Sequence, residues 1–122
     1  MNVAILGASL KPERYSNRAQ QMLMAAEHSV FPVSPKGDDI LGSPGYSSLS
    51  EIDKPIDTVT LYLGPDRLRT ILDELIALAP KRVIFNPGTE DDSIQKACEE
   101  AGIRTVKACT LVLLSTGEFE TA

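Results

Sequence analysis

The chain has 122 residues, enough for one domain around one core, and it reads as a single unit over residues 1–122. Hydrophobic residues make up 43% and charged residues 24%, an ordinary globular balance. The net charge of −5 repels polyanions, and with no Trp, three Phe and three Tyr there is little with which to stack bases, so nucleic acid and anionic membrane are excluded as main partners. No apolar run approaches the roughly 20 residues that span a bilayer. Met1–Leu6 reaches Gly7 without a basic region and is too short for a secretory signal. Cys98 and Cys109 read as small hydrophobes in a reducing, cytoplasmic setting. The lone His28 has no cluster of Cys or acids around it and offers no zinc site.

Taken in order, the elements alternate. Val3–Leu6 is a short apolar strand stopped by Gly7. Asn17–Glu27 follows as a helix with Ala19, Met22, Leu23 and Ala26 on one face and Ser16 as its N-cap. Val30–Val33 is the second strand, ended by Pro35. Residues 36–48 are rich in Gly, Pro, Ser and Asp and read as a loop, with a short helical turn at Leu49–Ile52. Asp57–Leu63 is the third strand. Pro65–Leu78 is a helix, with Pro65 in its first turn and Leu68, Ile71, Leu72, Leu75 and Ile76 forming an apolar stripe. Arg82–Phe85 is the fourth strand. Glu90–Ala101 is the third helix, capped by Thr89 and closed by Gly102. Ile103–Lys107 is the fifth strand, and Thr110–Leu114 forms a last helical turn.

Strands separated by helix-length segments imply βαβ units. The expected fold is therefore α/β: one doubly wound, Rossmann-like parallel sheet of five strands with helices on both faces. The expected strand order is 3-2-1-4-5, with a switch point between strands 1 and 4. Ligands bind such sheets in the crevice outside the carboxyl ends of the strands.

Four segments suit a ligand there. Gly7-Ala8-Ser9, with Pro12 following, lets the backbone turn tightly beside the start of a helix, where the dipole favours an anion. The second and third glycines of the dinucleotide fingerprint are missing. After strand 2 stand Ser34, Pro35 and Lys36. A dinucleotide domain places a carboxylate here to grip the ribose diol, and a lysine instead suits a phosphate on the ribose, as in coenzyme A or NADP. Asn86, Gly88 and Thr89 after strand 4 offer amide hydrogen bonds, close backbone approach and a helix start. Tyr62, with Gly64-Pro65, can form a flat wall for a base or ribose. Catalytic sets are thin: there is no phosphate-binding P-loop, no nucleophile elbow around Ser9 and no histidine near the expected crevice. The acids at residues 90–92 suit a helix N-terminus. The chain reads as holding a ligand rather than transforming it.

These motifs together resemble a known family. Gly7-Ala8-Ser9-x-x-Pro12-x-x-Tyr15-Ser16, Val33-Ser34-Pro35-Lys36, Gly88-Thr89-Glu90 and Ala101-Gly102-Ile103 look like the small stand-alone coenzyme A-binding domain proteins. Those are similar to the amino-terminal domain of the succinyl-coenzyme A synthetase α subunit. The resemblance runs from Val3 to about Cys109. It implies a Rossmann-like fold and coenzyme A or an acyl-coenzyme A as the nucleotide ligand. Gly7, Ala8, Ser9 and Lys36 would line its adenosine and phosphate region, with Tyr62, Pro65 and Gly88 near it. The chain departs from the family pattern at Ser34, at Phe85-Asn86 and at Lys107-Ala108. Two further readings stand beside this one. One is an NADP-dependent reductase with a degenerate fingerprint. The other is an interaction protein with a lapsed pocket, whose Leu111–Leu114 segment covers a sheet edge or forms a homodimer contact.

Overall fold

The computed structural model describes residues 1–122. In chain order the elements are β1 (Asn2–Leu6), α1 (Tyr15–Ala25), β2 (Ser29–Val33), a 3-10 turn (Leu49–Glu51), β3 (Thr58–Leu61), α2 (Pro65–Leu78), β4 (Arg82–Phe85), α3 (Asp92–Glu100), β5 (Arg104–Lys107) and α4 (Thr110–Ser115). Helix α2 and strand β4 keep the limits expected from sequence. Helix α1 starts two residues early, because Arg14 rather than Ser16 takes the extended N-cap position and Ser16 turns helical. Helix α3 starts late. Its cap is Asp91, whose carboxylate accepts from the amides of Ser93 and Ile94, and not Thr89. No helix is long and apolar enough to cross a membrane.

All four strand pairings are parallel, and helices cover both faces of the sheet, as a doubly wound α/β fold requires. The strand order, however, is 2-1-3-4-5 and not 3-2-1-4-5. Pro32 supplies the physical reason. On the outer side of β2 the Pro32 carbonyl accepts from Tyr46 N–H at 3.0 Å, and Ser34 N–H donates to Tyr46 O at 3.0 Å. A second full strand on that side would need a donor that proline lacks, so β2 is an edge strand. β3 pairs instead with the other side of β1, in the register Val3↔Thr58 to Leu6↔Leu61. The switch point consequently lies between β1 and β3.

Alternation along the strands divides the core. Ala4 and Leu6 of β1 face the side covered by α2, α3 and the 3-10 turn, with Val59, Leu61, Val83, Phe85, Leu68, Leu75, Ile94 and Cys98. Val3 and Ile5 face the other side, with Leu23 of α1, Val30, Ile84 and Phe119. Leu113 and Leu114 of α4 pack on this second cluster, which gives the apolar tail segment an internal use, while Val112 stays exposed.

Candidate functional site

The turn after β1 is preformed from inside. Gly7 has φ +95°, and a Cβ there would lie 3.0 Å from the backbone carbon and oxygen of Tyr62, so glycine lets β1 and β3 close up here without strain. The amides of Gly7 and Ala8 both donate to Val33 O at 3.0 Å, which ties the turn to the end of β2. Ser9 Oγ accepts from Lys11 N–H at 3.1 Å, and Asn17 Nδ2 donates to Ser9 O at 2.8 Å. The open donors come next. Helix α1 begins at Tyr15 with no side-chain cap, so the Tyr15, Ser16 and Asn17 amides lack protein partners. Gly64 caps α2 equally bare, and Pro65 has no amide to offer.

These helix starts face a crevice of ≈ 460 Å³ at the carboxyl ends of the strands. Its walls are Gly7, Ala8 and Ser9 after β1, Pro35 after β2, Tyr62, Leu63 and Gly64 after β3, Pro87, Gly88 and Thr89 after β4, and Arg14, Tyr15, Ser16 and Arg67 from the helix starts. Two arginines and no carboxylate line it, in a chain of net charge −5. Neither arginine has a carboxylate within ion-pair distance; Arg69, two residues beyond Arg67, is held by both Asp66 and Asp91. The crevice walls thus carry positive charge in a chain whose net charge is negative.

Two smaller hollows adjoin it. A mainly apolar slot of ≈ 200 Å³ lies between the end of β2 and α2, walled by Leu6, Val33, Leu49, Leu63 and Ile71, with Ser34, Ser47, Ser48, Arg67, Thr70 and Glu74 as polar groups. The Ser34 hydroxyl is buried and has no hydrogen-bond partner. Gly7, Pro35, Leu63 and Arg67 line both slot and crevice. Lys36 stands in a shallow recess with Ala8, Ser9, Ser34 and Asp38.

Of the residues singled out from sequence, Gly7, Ala8, Ser9, Tyr15, Ser16, Pro35, Tyr62, Gly88 and Thr89 meet in the crevice, while Ser34 and Lys36 sit beside it. Pro12, Pro65 and Asn86 are not in its walls. Asn86 is turned inward: Nδ2 donates to Thr60 Oγ1 at 2.7 Å and Leu61 O at 2.8 Å, and Oδ1 accepts from Thr110 N–H at 2.8 Å. It braces β3, β4 and the start of α4. Thr89 Oγ1 donates to Asn86 O at 2.8 Å and holds the β4 turn. Gly88 N–H donates to the Glu90 carboxylate at 2.6 Å, and the amides of this turn, that of Glu90 itself foremost, hold that carboxyl below its ordinary range. Burial raises the Tyr62 phenol, which stays protonated. His28 lies at the opposite edge of the sheet, hydrogen-bonded to the Met1 amino group at 3.1 Å.

Arg14 and Arg67 were not picked out from sequence, and a signal for both existed. A basic side chain at a helix N-cap or in its first turn opposes the helix dipole, so it marks a place where an anion is expected to compensate.

The sequence profile of the CoA-binding domain family matches residues 1–115. An uncharacterized Bacillus subtilis protein, YneT, is 34% identical over 104 residues, which is 85% of this chain and 76% of that protein. The crystal structure of an uncharacterized protein superposes with a TM-score of 0.91 at 38% identity, over 97% of both chains. A Thermus thermophilus protein superposes at 0.88 with 30% identity, over 97% of this chain and 90% of its own. The dinucleotide-forming acetyl-coenzyme A synthetase 1 of Ca. Korarchaeum cryptofilum matches over 88% of this chain and 25% of its own, with a TM-score of 0.77; at 18% identity that likeness concerns the fold. With its Rossmann-like sheet and the profile match along nearly its whole length, the chain belongs to the CoA-binding domain family.

Proposed function

We propose that the crevice between the carboxyl ends of β1 and β3 binds coenzyme A or an acyl-coenzyme A and holds it without transforming it. The observation that carries this reading is the charge of the crevice: two unpaired arginines and no carboxylate, beside the uncapped starts of α1 and α2, in an acidic protein. Helix amides and arginines together bind a diphosphate. The apolar slot, entered from the crevice, suits a purine. Lys36, on the other side of Pro35, stands where a ribose phosphate would find a cation. The holding role is supported by the position of the only histidine, at the far edge of the sheet and tied to Met1.

Titration calorimetry with coenzyme A, 3′-dephospho-coenzyme A, NADPH and NAD tests this. Coenzyme A is expected to bind most tightly, with weaker binding once the 3′-phosphate is removed. Absence of coenzyme A binding by folded protein overturns the reading. Equal affinity for the first two ligands removes the role given to Lys36. Tighter binding of NADPH, with its oxidation on a panel of carbonyl compounds, would favour a reductase.

A further inference from the structure

We infer that Arg67 is a specificity-determining residue of this site, its guanidinium binding a phosphate group of the nucleotide where the apolar slot opens into the crevice. This deepens the proposed coenzyme A reading and rests on it. Four residues line both hollows, and Arg67 is the one charged residue among them. A nucleotide with its base in the slot and its phosphates in the crevice passes its ribose through that junction. A phosphate attached to the ribose then lies beside Arg67, whether it is the 3′-phosphate or the first phosphate of the diphosphate chain.

Three observations make Arg67 a ligand group rather than a solvated surface cation. It has no ion pair, whereas Arg69 on the same helix is held by two carboxylates. It stands in the first turn of α2, which has no side-chain cap and whose one carboxylate, Asp66, pairs with Arg69 and leaves the Arg67 guanidinium free. Across the slot the buried Ser34 hydroxyl lacks any partner, so this wall too has an unmet hydrogen bond that a ligand can complete. The planar fork of a guanidinium suits a phosphate better than an ammonium does.

The test is binding of coenzyme A, 3′-dephospho-coenzyme A, ADP and adenosine to the wild type, Arg67→Gln and Arg67→Lys, by calorimetry and NMR titration. Arg67 is exposed, so the variants are expected to melt with the wild type. Arg67→Gln is expected to weaken coenzyme A about 10- to 100-fold, the scale of a charge-assisted hydrogen-bond pair, and to leave adenosine unchanged. Arg67→Lys is expected to recover part of the loss. If the loss is confined to coenzyme A, the 3′-phosphate is the group held; if the dephospho form and ADP fall with it, the diphosphate is. Unchanged coenzyme A affinity in Arg67→Gln, or an equal loss for adenosine, overturns the assignment. A wild type that ignores coenzyme A but binds ADP, with ADP lost in Arg67→Gln, overturns the coenzyme A reading alone. A wild type that binds none of the four overturns both.

Discussion

The residues that follow β1 and β4, Gly7 and Asn86, do different work. Gly7 is a conformational choice. Its positive φ strains any side chain, and the 3.0 Å approach of the Tyr62 backbone crowds a Cβ. Gly7→Ala is expected to cost at least about 1–2 kcal/mol from the left-handed backbone alone, read as a fall in the urea midpoint. Asn86 is a brace, with both ends of its amide used across two strands and a helix start. Asn86→Ala leaves buried Thr60, Leu61 and Thr110 groups with fewer partners and is expected to cost about 2–4 kcal/mol by the same measurement. Its role was not legible from sequence, because an Asn after a strand looks alike whether it faces ligand or core. Only the positions of Thr60 and Thr110, distant in the chain, turn it inward.

At the scale of elements, helix starts divide by what meets their amides, and that of α4 is met by the Asn86 side chain. The 3-10 turn and α3 begin at carboxylate-satisfied ends: Glu51 accepts from the Ser48 amide at 3.0 Å, and Asp91 from the amides of Ser93 and Ile94. Helices α1 and α2, which face the crevice, begin with no side-chain cap, and α1 has no acid in its first turn either. The proposed coenzyme A site and the missing cap together predict the outcome of Arg14→Asp. An acid at that N-cap is expected to stabilise α1 by about 1 kcal/mol and raise the melting temperature. The same change removes a crevice cation and fills the open amides, so coenzyme A affinity is expected to fall in calorimetry. Sequence located α2 to the residue, because Pro65 and the Leu68–Leu75 stripe agree with each other. It misjudged the caps of α1 and α3. Ser16, Thr89 and Asp91 are all good capping types, and the backbone geometry alone selects among them.

Across the whole molecule, the two edges of the sheet carry separate tasks. The carboxyl edge gathers arginines around the crevice, and the amino edge closes the chain ends over Arg82 and His28. Buried Arg82 donates to Thr58 Oγ1 at 3.0 Å and Ala122 O at 2.9 Å, with its guanidinium 4.6 Å from the Phe119 ring centre. His28 packs edge-on to that ring at 5.2 Å and lies 3.8 Å from Glu120. Burial first, and then the Met1 ammonium, lowers the His28 pKa from 6.5, against the opposing pull of Glu120. The unfolded chain therefore takes up this proton more readily than the folded one. The contribution of neutral His28 is complete above pH 6.5 and is lost as the pH falls through its lowered folded value. Melting temperature is expected to drop on acidification below pH 6.5, and His28→Gln to flatten that part of the profile. A His28→Gln profile that matches the wild type would assign the acid sensitivity elsewhere.

The sequence by itself determined the alternation of strand and helix, the tight turn after the first strand, and the parallel sheet buried on both faces. These follow from local periodicity and from glycine at Gly7, which are properties of short segments. Only the tertiary structure decided which strand stands beside β1. Periodicity says that β3 is a buried strand but not who its neighbour is; the edge character imposed by Pro32 settles that through a hydrogen bond to Tyr46. It also decided that Arg14 and Arg67, from two different helix starts, share one crevice, because that meeting depends on β1 and β3 being adjacent.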